Sequence, residues 1–549
     1  MADNKNVVDA EHAYEEMVRS QKADAKANEA QKYQDRRYVG TKETVGFVLW
    51  DAAQSFNINS QSSRFITSIV EIDLRLQTIA SAINSVWDIV NDVFFATMVD
   101  KTRTRWGKFR PYLLFLAIPG CILTMLYWLM PNMFGGRASN DVMKFAFYFA
   151  LTIIREGIGT FQSIARTGLM STITPHPNDR TRLITVANFA SGTFGEKLPE
   201  QLLDVLITLI QNGIIGSAES LAALYTGIFV GMGCFTTVVS SGASFWFFAK
   251  SKERVIQSIK TPSVMQSLKS IINNKPMLLI TLSDFLSGFS LGGSKKDYYT
   301  DVLHFPAMTI VAGIPAAPIS PLSYAWVPWM RRRFSSRLLY ILSKYIGDIL
   351  YVPVFLFGIT GMKTTGPKKY AGGMYQKVVP MGIAMALWEV IWTMFYGLKS
   401  VIGTELYNEA MDYCEWKNGY RTEAMTSVAK GLAAKVASSA SNVVTTALKG
   451  WIGYDTSAFK AGVEQPDRVK FYLFAMYTII PAITGSLGVI PMLFYDLNNK
   501  KKEVMYAELI ERRRMMSNTV GSGNADDIAL VAAAQMSVGE MNKDKSLDD

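Results

Sequence analysis

The chain of 549 residues contains apolar stretches of about twenty or more residues that recur with only short polar breaks. A helix of about 20 residues is what crosses a hydrocarbon core of about 30 Å. We count twelve such stretches and number them spans 1 to 12. In order they are 44–70, 72–99, 110–130, 142–174, 182–211, 221–249, 275–303, 307–330, 336–360, 378–405, 422–452 and 468–495. The pattern predicts an all-α membrane protein with twelve transmembrane helices.

The formal net charge of +10 is concentrated in the loops that follow the even-numbered spans and in the C-terminal tail. A positive bias on one side of a membrane protein places that side in the cytoplasm. We therefore expect a multi-pass protein of the cell membrane with both termini cytoplasmic, and no nucleic-acid partner. The loop 363–377 departs from this rule, since it carries lysines on the opposite side.

A charged stretch separates six spans from six more, and two repeated halves are a transporter architecture. The predicted division is an N-terminal extension 1–40, a six-helix bundle 41–249, a middle loop 250–274, a second bundle 275–497 and a cytoplasmic tail 498–549. The sequence contains no Ser/His/Asp set, metal-ligand spacing or phosphate-binding loop. We expect no enzymatic activity, no cofactor and no metal beyond a monovalent cation.

Span 2 carries two aspartates, Asp88 and Asp92, four residues apart on one helix face. They lie about 18 Å and 12 Å of helix before Asp100, which marks the end of the span. Each buried charge costs about 2.5–3.5 kcal/mol on membrane-insertion scales. The pair therefore needs a compensating partner, which is a bound monovalent cation, a proton, or a lysine on another helix.

Four segments resemble one known family. They are WDIVNDVFFATMVDKTRTRWGKFRPYLL at 87–114, TPHPNDRT at 174–181, DYCEWKNGYRTE at 412–423 and YDLNNKKKEVMYAELIERRR at 495–514. In this order and spacing they resemble the glycoside–pentoside–hexuronide:cation symporters, which belong to the major facilitator superfamily. The resemblance covers residues 40–515 approximately and implies that superfamily's fold of two six-helix halves.

The resemblance implies that Asp88, Asn91 and Asp92 bind the coupling ion, Na⁺ or H⁺, with help from the Thr160 hydroxyl. Lys435 matches the family's lysine near this site. Two alternatives remain: a hydrogen bond of Thr160 to its own helix, and a structural ion pair of Lys435 with one of the aspartates.

The resemblance also implies a substrate site, which this sequence matches less well. Asp51 matches an aspartate that receives sugar hydroxyls, whereas an aspartate, a tryptophan and an arginine of the family are replaced by Ser163, Thr167 and Ala187. Arg166 lies one turn from Ser163 and needs an anionic partner, either an acidic substrate or Glu196. The candidates for the substrate site are Asp51, Ser163, Arg166, Thr167 and Lys435.

Spans 4 and 5 carry further charges near this site, among them Arg155, Glu156 and Glu200. Two interpretations stand. Either these charges pair between the helices, for which Arg155 and Glu200 have similar depth, or they form a changed pocket for a different substrate.

Basic and acidic residues at the cytoplasmic ends of the two halves form a candidate gate, because ion pairs there would hold the inner mouth closed. The alternative is that the basic loop only sets the topology. The gate residues are Asp100, Arg103, Arg105, Lys108, Arg110, Glu409, Asp412 and Glu415.

The leading prediction is a secondary active transporter that carries a glycoside together with Na⁺ or H⁺ by alternating access. Its partners would be the small-molecule substrate, the cation and the lipid bilayer, and we expect a monomer. Two alternatives remain open: a symporter of another cargo, such as a lysolipid or an organic acid, and a transporter-like sensor that does not transport.

Overall fold

The computed structural model describes most of the chain between residues 39 and 509. The described residues are 39–101, 104, 106–107, 109–173, 183, 186–216, 220–251, 272, 274–289, 291–366, 369–418, 423–497 and 501–509. All helices and strands assigned to these residues are helices, apart from one isolated β-bridge that joins Thr104 to Gly107.

In the first half, spans 2, 4 and 6 are single long helices, while spans 1, 3 and 5 are divided. The helices are Thr41–Ser55, Asn59–Gln61, Ser62–Arg64 and Phe65–Ile69 in span 1; Leu74–Lys101 in span 2; Arg110–Phe115, Ala117–Trp128 and Met130–Met133 in span 3; Val142–Thr172 in span 4; Ser191–Glu196 and Lys197–Gln211 in span 5; and Leu221–Lys250 in span 6.

In the second half, spans 9 and 11 are single helices and the other spans are divided. The helices are Lys275–Gly288 and Lys295–Asp301 in span 7; Met308–Gly313, Ile314–Ala316, Ile319–Leu322 and Val327–Arg333 in span 8; Ser336–Gly358 in span 9; Met374–Gln376 before span 10; Val378–Met394 and Tyr396–Asn418 in span 10; Glu423–Ile452 in span 11; Ala458–Ala461 after it; and Asp467–Tyr477, Ile479–Ser486 and Val489–Leu493 in span 12.

Four helices in the described part of the chain are long and apolar enough to cross a membrane, namely Arg110–Trp128, Leu221–Lys250, Ser336–Gly358 and Asp467–Leu493. A fifth is added if Val378–Met394 and Tyr396–Lys417, bent by 44°, count as one span. Polar side chains lower the hydropathy of spans 2 and 11, and breaks shorten the helices of spans 1, 5, 7 and 8. The number of twelve crossings therefore remains a prediction.

Span 2 shows how a polar helix fits this bundle. Ile79, Ile83, Val86, Val90 and Phe94 form an exposed apolar stripe at helical spacing. The opposite side carries Asn84, Asp88 and Asn91. The helix therefore turns its apolar stripe outward, where lipid would cover it, and its polar residues inward.

The two halves have separate cores built on large aromatic side chains. In the first half Trp50 of span 1 stacks on Phe247 of span 6 with ring centres 4.7 Å apart. In the second half Tyr351 of span 9 stacks on Trp388 of span 10 at 4.6 Å. Leu74 of span 2 packs in the core of the second half and Phe459 of the second half packs in a core of the first, but the halves meet chiefly where span 2 packs against span 11.

Two segments, Phe65–Ile69 and Ser191–Glu196, are π-helical. A π-helical turn inside an α-helix is rare and is frequent at functional sites. The second segment begins at Ser191, whose side chain contacts Asp51 of span 1. The irregular turn therefore lies against one of the residues that the sequence marked.

A short helix over 501–509 packs on the second half after span 12. Met505 and Leu509 are buried in the same cluster as Leu406 of span 10. Lys502 donates to Glu409 at 2.6 Å and to Ser336 at 2.9 Å. This part of the predicted tail is therefore attached to the second half.

Candidate functional site

The predicted cation ligands of spans 2 and 4 meet in the centre of the bundle. Thr160 Oγ1 donates to Asn91 Oδ1 at 3.2 Å, and both side chains are buried. The alternative of a Thr160 bond to its own helix is therefore not what the structure shows. The side chain of Asp92 lies outside the described residues, so its part in the site remains a prediction.

Lys435 of span 11 reaches across to the same cluster. Its Nζ lies 3.2 Å from Asp88 Oδ1, and the Asp88 side chain is 16% exposed. The structure thus contains the ion pair that the sequence left as one of two roles for Lys435. An ammonium on Asp88 would compete with a monovalent cation for the same carboxylate, so the pair suits a charge that is exchanged during a cycle.

The oxygens of this cluster are chemically suited to a hard cation, which prefers carboxylate, amide and hydroxyl ligands. Asn91 Nδ2 is buried and has no hydrogen-bond partner among the described residues. Rotating the amide by half a turn would let Nδ2 donate to Thr160 and would free Oδ1 as a ligand. Asp88, Asn91 and Thr160 therefore supply a carboxylate, an amide and a hydroxyl oxygen within one cluster.

Glu156 belongs to this cluster, which neither of the two interpretations of the charges on spans 4 and 5 included. Its carboxyl group lies close to Asp88, with Lys435 and Arg155 nearby. Two carboxylates repel each other when both are ionised, so a cation or a proton beside them is favourable. The signal that could have found it is spacing, because Glu156 lies one helical turn before Thr160.

Asp51 and Arg166 form an ion pair that the sequence analysis did not consider. Arg166 Nε donates to Asp51 Oδ1 at 2.6 Å, and Ser191 Oγ donates to Oδ2 at 2.5 Å. Asp51 is 0% exposed, whereas the Arg166 side chain is 31% exposed. Arg166 therefore has its anionic partner within the chain, which removes the main reason for expecting an acidic substrate.

The remaining substrate candidates are less informative. Ser163 is an exposed residue of span 4, and the side chain of Thr167 lies outside the described residues. Ala187 is fully buried and contributes no polar group. The structure therefore brings Asp51 and Arg166 together but does not gather the whole predicted set.

The other charges of spans 4 and 5 have different partners from those we expected. The Arg155 guanidinium lies over the Tyr127 ring, 4.0 Å from its centre. Glu200 pairs with Lys296 of span 7. The expected pairing of Arg155 with Glu200 is wrong, because Glu200 of span 5 faces the second half and binds Lys296 there.

Two acidic residues of the candidate gate, Glu409 and Asp412, contact the short helix 501–509. Glu409 pairs with Lys502, and Tyr506 donates to Asp412 at 3.3 Å. Arg110 donates to the carbonyl oxygen of Phe248, at 2.7 Å, within its own half. Arg103, Arg105 and Lys108 and the side chain of Asp100 lie outside the described residues, and no described contact of Glu415 decides its role. A latch between the halves at this end remains a prediction.

Buried ion pairs join the halves at the end of the bundle opposite the chain termini, which we call the far end. Arg64 of span 1 binds Asp297 and Asp301 of span 7, each at 2.9 Å. All three side chains are at most 8% exposed. Two further pairs cross the halves there, Lys296–Glu200 and Lys460–Glu71. The far end is therefore closed by charge.

A cavity of about 840 Å³ lies between this closed end and the cation cluster. Spans 1, 2, 3, 4, 6, 7 and 11 line it, so both halves contribute. Its wall consists mainly of amide, hydroxyl and glycine residues with Tyr127, Trp128 and Tyr148. Glu156 is part of this wall, which places the cavity next to Asp88.

The family model described as MFS/sugar transport protein matches residues 45–499. The chain belongs to this family. The isoprimeverose transporter of Lactiplantibacillus pentosus is 24% identical over 506 residues, which are 90% of this chain and 95% of the relative. The glucuronide carrier protein homolog of Escherichia coli K12 is 23% identical, over 87% of this chain and 97% of the relative.

A third relative, the inner membrane symporter YicJ of Escherichia coli K12, is 25% identical over 87% of this chain and 96% of its own length. Membership of the MFS/sugar transport family confirms the resemblance to the glycoside–pentoside–hexuronide symporters and the major facilitator fold. The chain is a multi-pass membrane transporter and not an enzyme.

Proposed function

We propose that this transporter carries a glycoside together with a monovalent cation by alternating access. The observation that carries the proposal is the cluster of Asp88, Asn91, Thr160 and Lys435, which joins span 2 and span 4 of the first half to span 11 of the second. Charged groups inside a membrane bundle mark ion pathways. A ligand that replaces Lys435 on Asp88 would act directly on the contact between the halves.

The cargo follows from the family and from the cavity. Relatives named for isoprimeverose and glucuronide align over nearly the whole chain. The cavity wall of amides, hydroxyls and aromatic rings can replace the water that a sugar loses and can cover its apolar faces. A sugar or glycoside is therefore the cargo that these features favour.

The coupling ion is Na⁺ or H⁺. The oxygen ligands Asp88, Asn91 and Thr160 favour Na⁺. The neighbouring carboxyl groups of Asp88 and Glu156 repel each other when both are ionised, which supports H⁺. We further propose residence in the cell membrane with both termini cytoplasmic, which the basic loops support and which places the far end outside.

Substitution Asp88→Asn tests the coupling. It removes the charge that a cation needs and keeps the side-chain shape, so we expect gradient-driven accumulation of isoprimeverose or a glucuronide to fall at least tenfold. The measurement is uptake into cells with an imposed Na⁺ gradient, an imposed proton gradient, or neither. Whichever gradient drives the wild type identifies the ion.

The matched control is Asp455→Asn, since Asp455 lies on a far-end loop and, among the described residues, its side chain binds only Ser457 beside it. Control uptake should equal that of the wild type at equal amounts in the membrane. Full accumulation in the Asp88→Asn variant would show that Asp88 is not a coupling residue. A wild type that binds these sugars without uptake under any gradient would favour a sensor.

A further inference from the structure

Several side-chain amides line the cavity without a hydrogen bond to another described residue, and three of them lie on spans 2, 4 and 11. They belong to Asn84 of span 2, Gln162 of span 4 and Asn442 of span 11. Asn84 Oδ1 is buried and lacks a partner, and the side chains of Gln162 and Asn442 have none within the described part of the chain. Buried polar groups in proteins are normally satisfied. These amides are therefore available to a polar ligand.

The position that the family resemblance predicts for the sugar is less available. Both Asp51 oxygens are bonded, one to Arg166 and one to Ser191, and Asp51 has no exposed surface. Neither Asp51 nor Ser163 lines the cavity, whose wall begins one turn farther along span 1, at Gln54. The open polar surface is thus displaced toward the far end.

The charges in the cavity wall compensate one another. Two cationic residues, Arg155 and Lys449, stand against two anionic residues, Glu156 and Asp297. Lys449 pairs with Asp297, and Arg155 lies over Tyr127 and close to Glu156. With all four groups ionised the described wall carries no net formal charge, so a ligand with an ionised acid group would lose its water without gaining an unmatched counter-charge.

We infer that this chain binds a neutral glycoside in the amide-lined cavity, with Asn84 and Gln162 of the first half and Asn442 of the second half as hydrogen-bond partners. This inference rests on the proposed function and adds the position of the site and the charge of the ligand. An amide offers both donors and acceptors, as a hydroxyl-rich ligand requires. A cavity of about 840 Å³ is within the usual range for small-molecule sites.

The location also explains how the ligand would act on the cation cluster. Asn84 lies one turn before Asp88 on span 2, and Gln162 lies two residues after Thr160 on span 4. Glu156 touches both the cavity and Asp88. A ligand held by Asn84 and Asn442 would bridge the same two helices that Asp88 and Lys435 join, so sugar and cation would each favour the arrangement that binds the other.

Thiol protection tests the position of the site. In a background lacking Cys121, Cys234 and Cys414, single substitutions Asn442→Cys and Thr124→Cys place a thiol in the cavity wall, and Ser163→Cys places one at the family position. Labelling by a maleimide is measured with isoprimeverose, lactose or methyl β-D-glucuronide present. We expect a neutral sugar to slow labelling at 442 and 124 about tenfold and to leave 163 unchanged.

Protection at position 163 alone, or no protection at 442 and 124 by either neutral sugar, overturns the inference. Stronger protection by the glucuronide than by the neutral sugars overturns the part that concerns charge. If uptake of a glycoside remains driven by a cation gradient while the cavity thiols stay unprotected, only this inference fails and the proposed function stands.

Affinity provides a second measurement that does not depend on labelling. Asn84→Ala should weaken binding of the protecting sugar by about tenfold, because one or two hydrogen bonds to the ligand are lost. The control is Asn212→Ala, an amide at the end of span 5 that binds Thr208 and does not line the cavity. Equal affinity in the Asn84→Ala variant would contradict the inference.

Discussion

The Asp51 carboxylate has no contact with solvent, and Arg166 and Ser191 together satisfy it. Arg166 is on span 4 and also donates to Ser55 of span 1 at 3.3 Å. The pair therefore fixes the distance between two helices of the first half. The stability of the protein therefore depends here on the Arg166 charge neutralising the buried Asp51 charge.

Removing either partner of the pair should destabilise the protein more than removing both. Breaking a buried pair costs about 3–5 kcal/mol. Arg166→Gln should cost more than Asp51→Asn, because it leaves the fully buried Asp51 carboxylate unpaired, whereas Arg166 is 31% exposed and can reach water. The double variant Asp51→Asn/Arg166→Gln should recover part of that loss, since no buried charge is left unpaired. Melting curves of the purified proteins in detergent compare the wild type, the two single variants and the double variant.

Equal and additive losses from the two single substitutions would show that the two residues are independent. A suitable comparison is Arg137→Gln, which breaks the exposed pair with Asp141 and should change the melting temperature little.

Sequence reasoning could mark Asp88 because a charge in an apolar span is visible in the sequence itself, and the family resemblance added Lys435. It could not find Asp51 as the partner of Arg166, because the two residues are 115 positions apart and meet only where spans 1 and 4 pack together. It also missed that Glu156 lies beside Asp88, since this depends on how spans 2 and 4 pack.

At the scale of the helices, close contact between spans 3 and 6 depends on one glycine. A Cβ atom at Gly233 would lie 2.3 Å from the Trp128 ring, which is nearly fully buried. A planar indole in a packed core cannot move aside without displacing its neighbours. The absence of a side chain at this position is therefore a condition for the packing of the first half.

Gly233→Ala should lower the melting temperature, because overpacking costs about 1–3 kcal/mol. Gly231→Ala is the matched control, since Gly231 lies on the same helix and no atom would lie within 4 Å of its new Cβ atom. Alanine is the better helix former by up to about 1 kcal/mol, so the control should be neutral or slightly stabilising. A similar fall in both variants would mean that helix geometry, and not the Trp128 contact, is responsible.

The apolar stretches predicted the order of the helices well, since each of the spans contains helical segments. The breaks inside span 8 and span 12 could be expected from prolines in the sequence, such as Pro315 and Pro491, which lie in the first turn of the helix that comes after the break. The π-helical turn at Ser191–Glu196 has no comparable signal, because its sequence contains no proline and its geometry depends on the contact with span 1.

At the scale of the whole molecule, the far-end ion pairs decide which side of the transporter is closed. Arg64 connects span 1 to two aspartates of span 7, and Tyr454 of the second half donates to Asp301 at 2.9 Å. The partners come from opposite halves, so they can meet only when the far ends approach. The sequence could not predict this arrangement, because it follows from how the halves close on each other.

Arg64→Gln should shift the population toward a state open at the far end, because it leaves Asp301 buried without its cation in the closed state. A thiol introduced by Thr445→Cys in the cavity wall reports this opening when a membrane-impermeant maleimide is added to intact cells. We expect its labelling rate to rise about tenfold, which corresponds to about 1.4 kcal/mol.

Arg137→Gln is the control at the same end, because the one ion pair of Arg137 among the described residues is with Asp141, in its own half. An unchanged rate in the Arg64→Gln variant would show that this network does not hold the far end closed. Labelling only from the cytoplasmic side would reverse the proposed orientation of the protein.

The burial of Arg64, Asp297 and Asp301 also determines how the closed state responds to the medium. Mobile ions screen charges that are in contact with water, and at 0.15 M the screening length is about 8 Å. The mobile ions cannot approach these three side chains closely, because each is at most 8% exposed. Ionic strength should therefore leave the closed far end almost unaffected, while the separated charges of an opened far end would attract counter-ions. In the proposed orientation the far end faces outside, so a change in external salt concentration would not open the closed state.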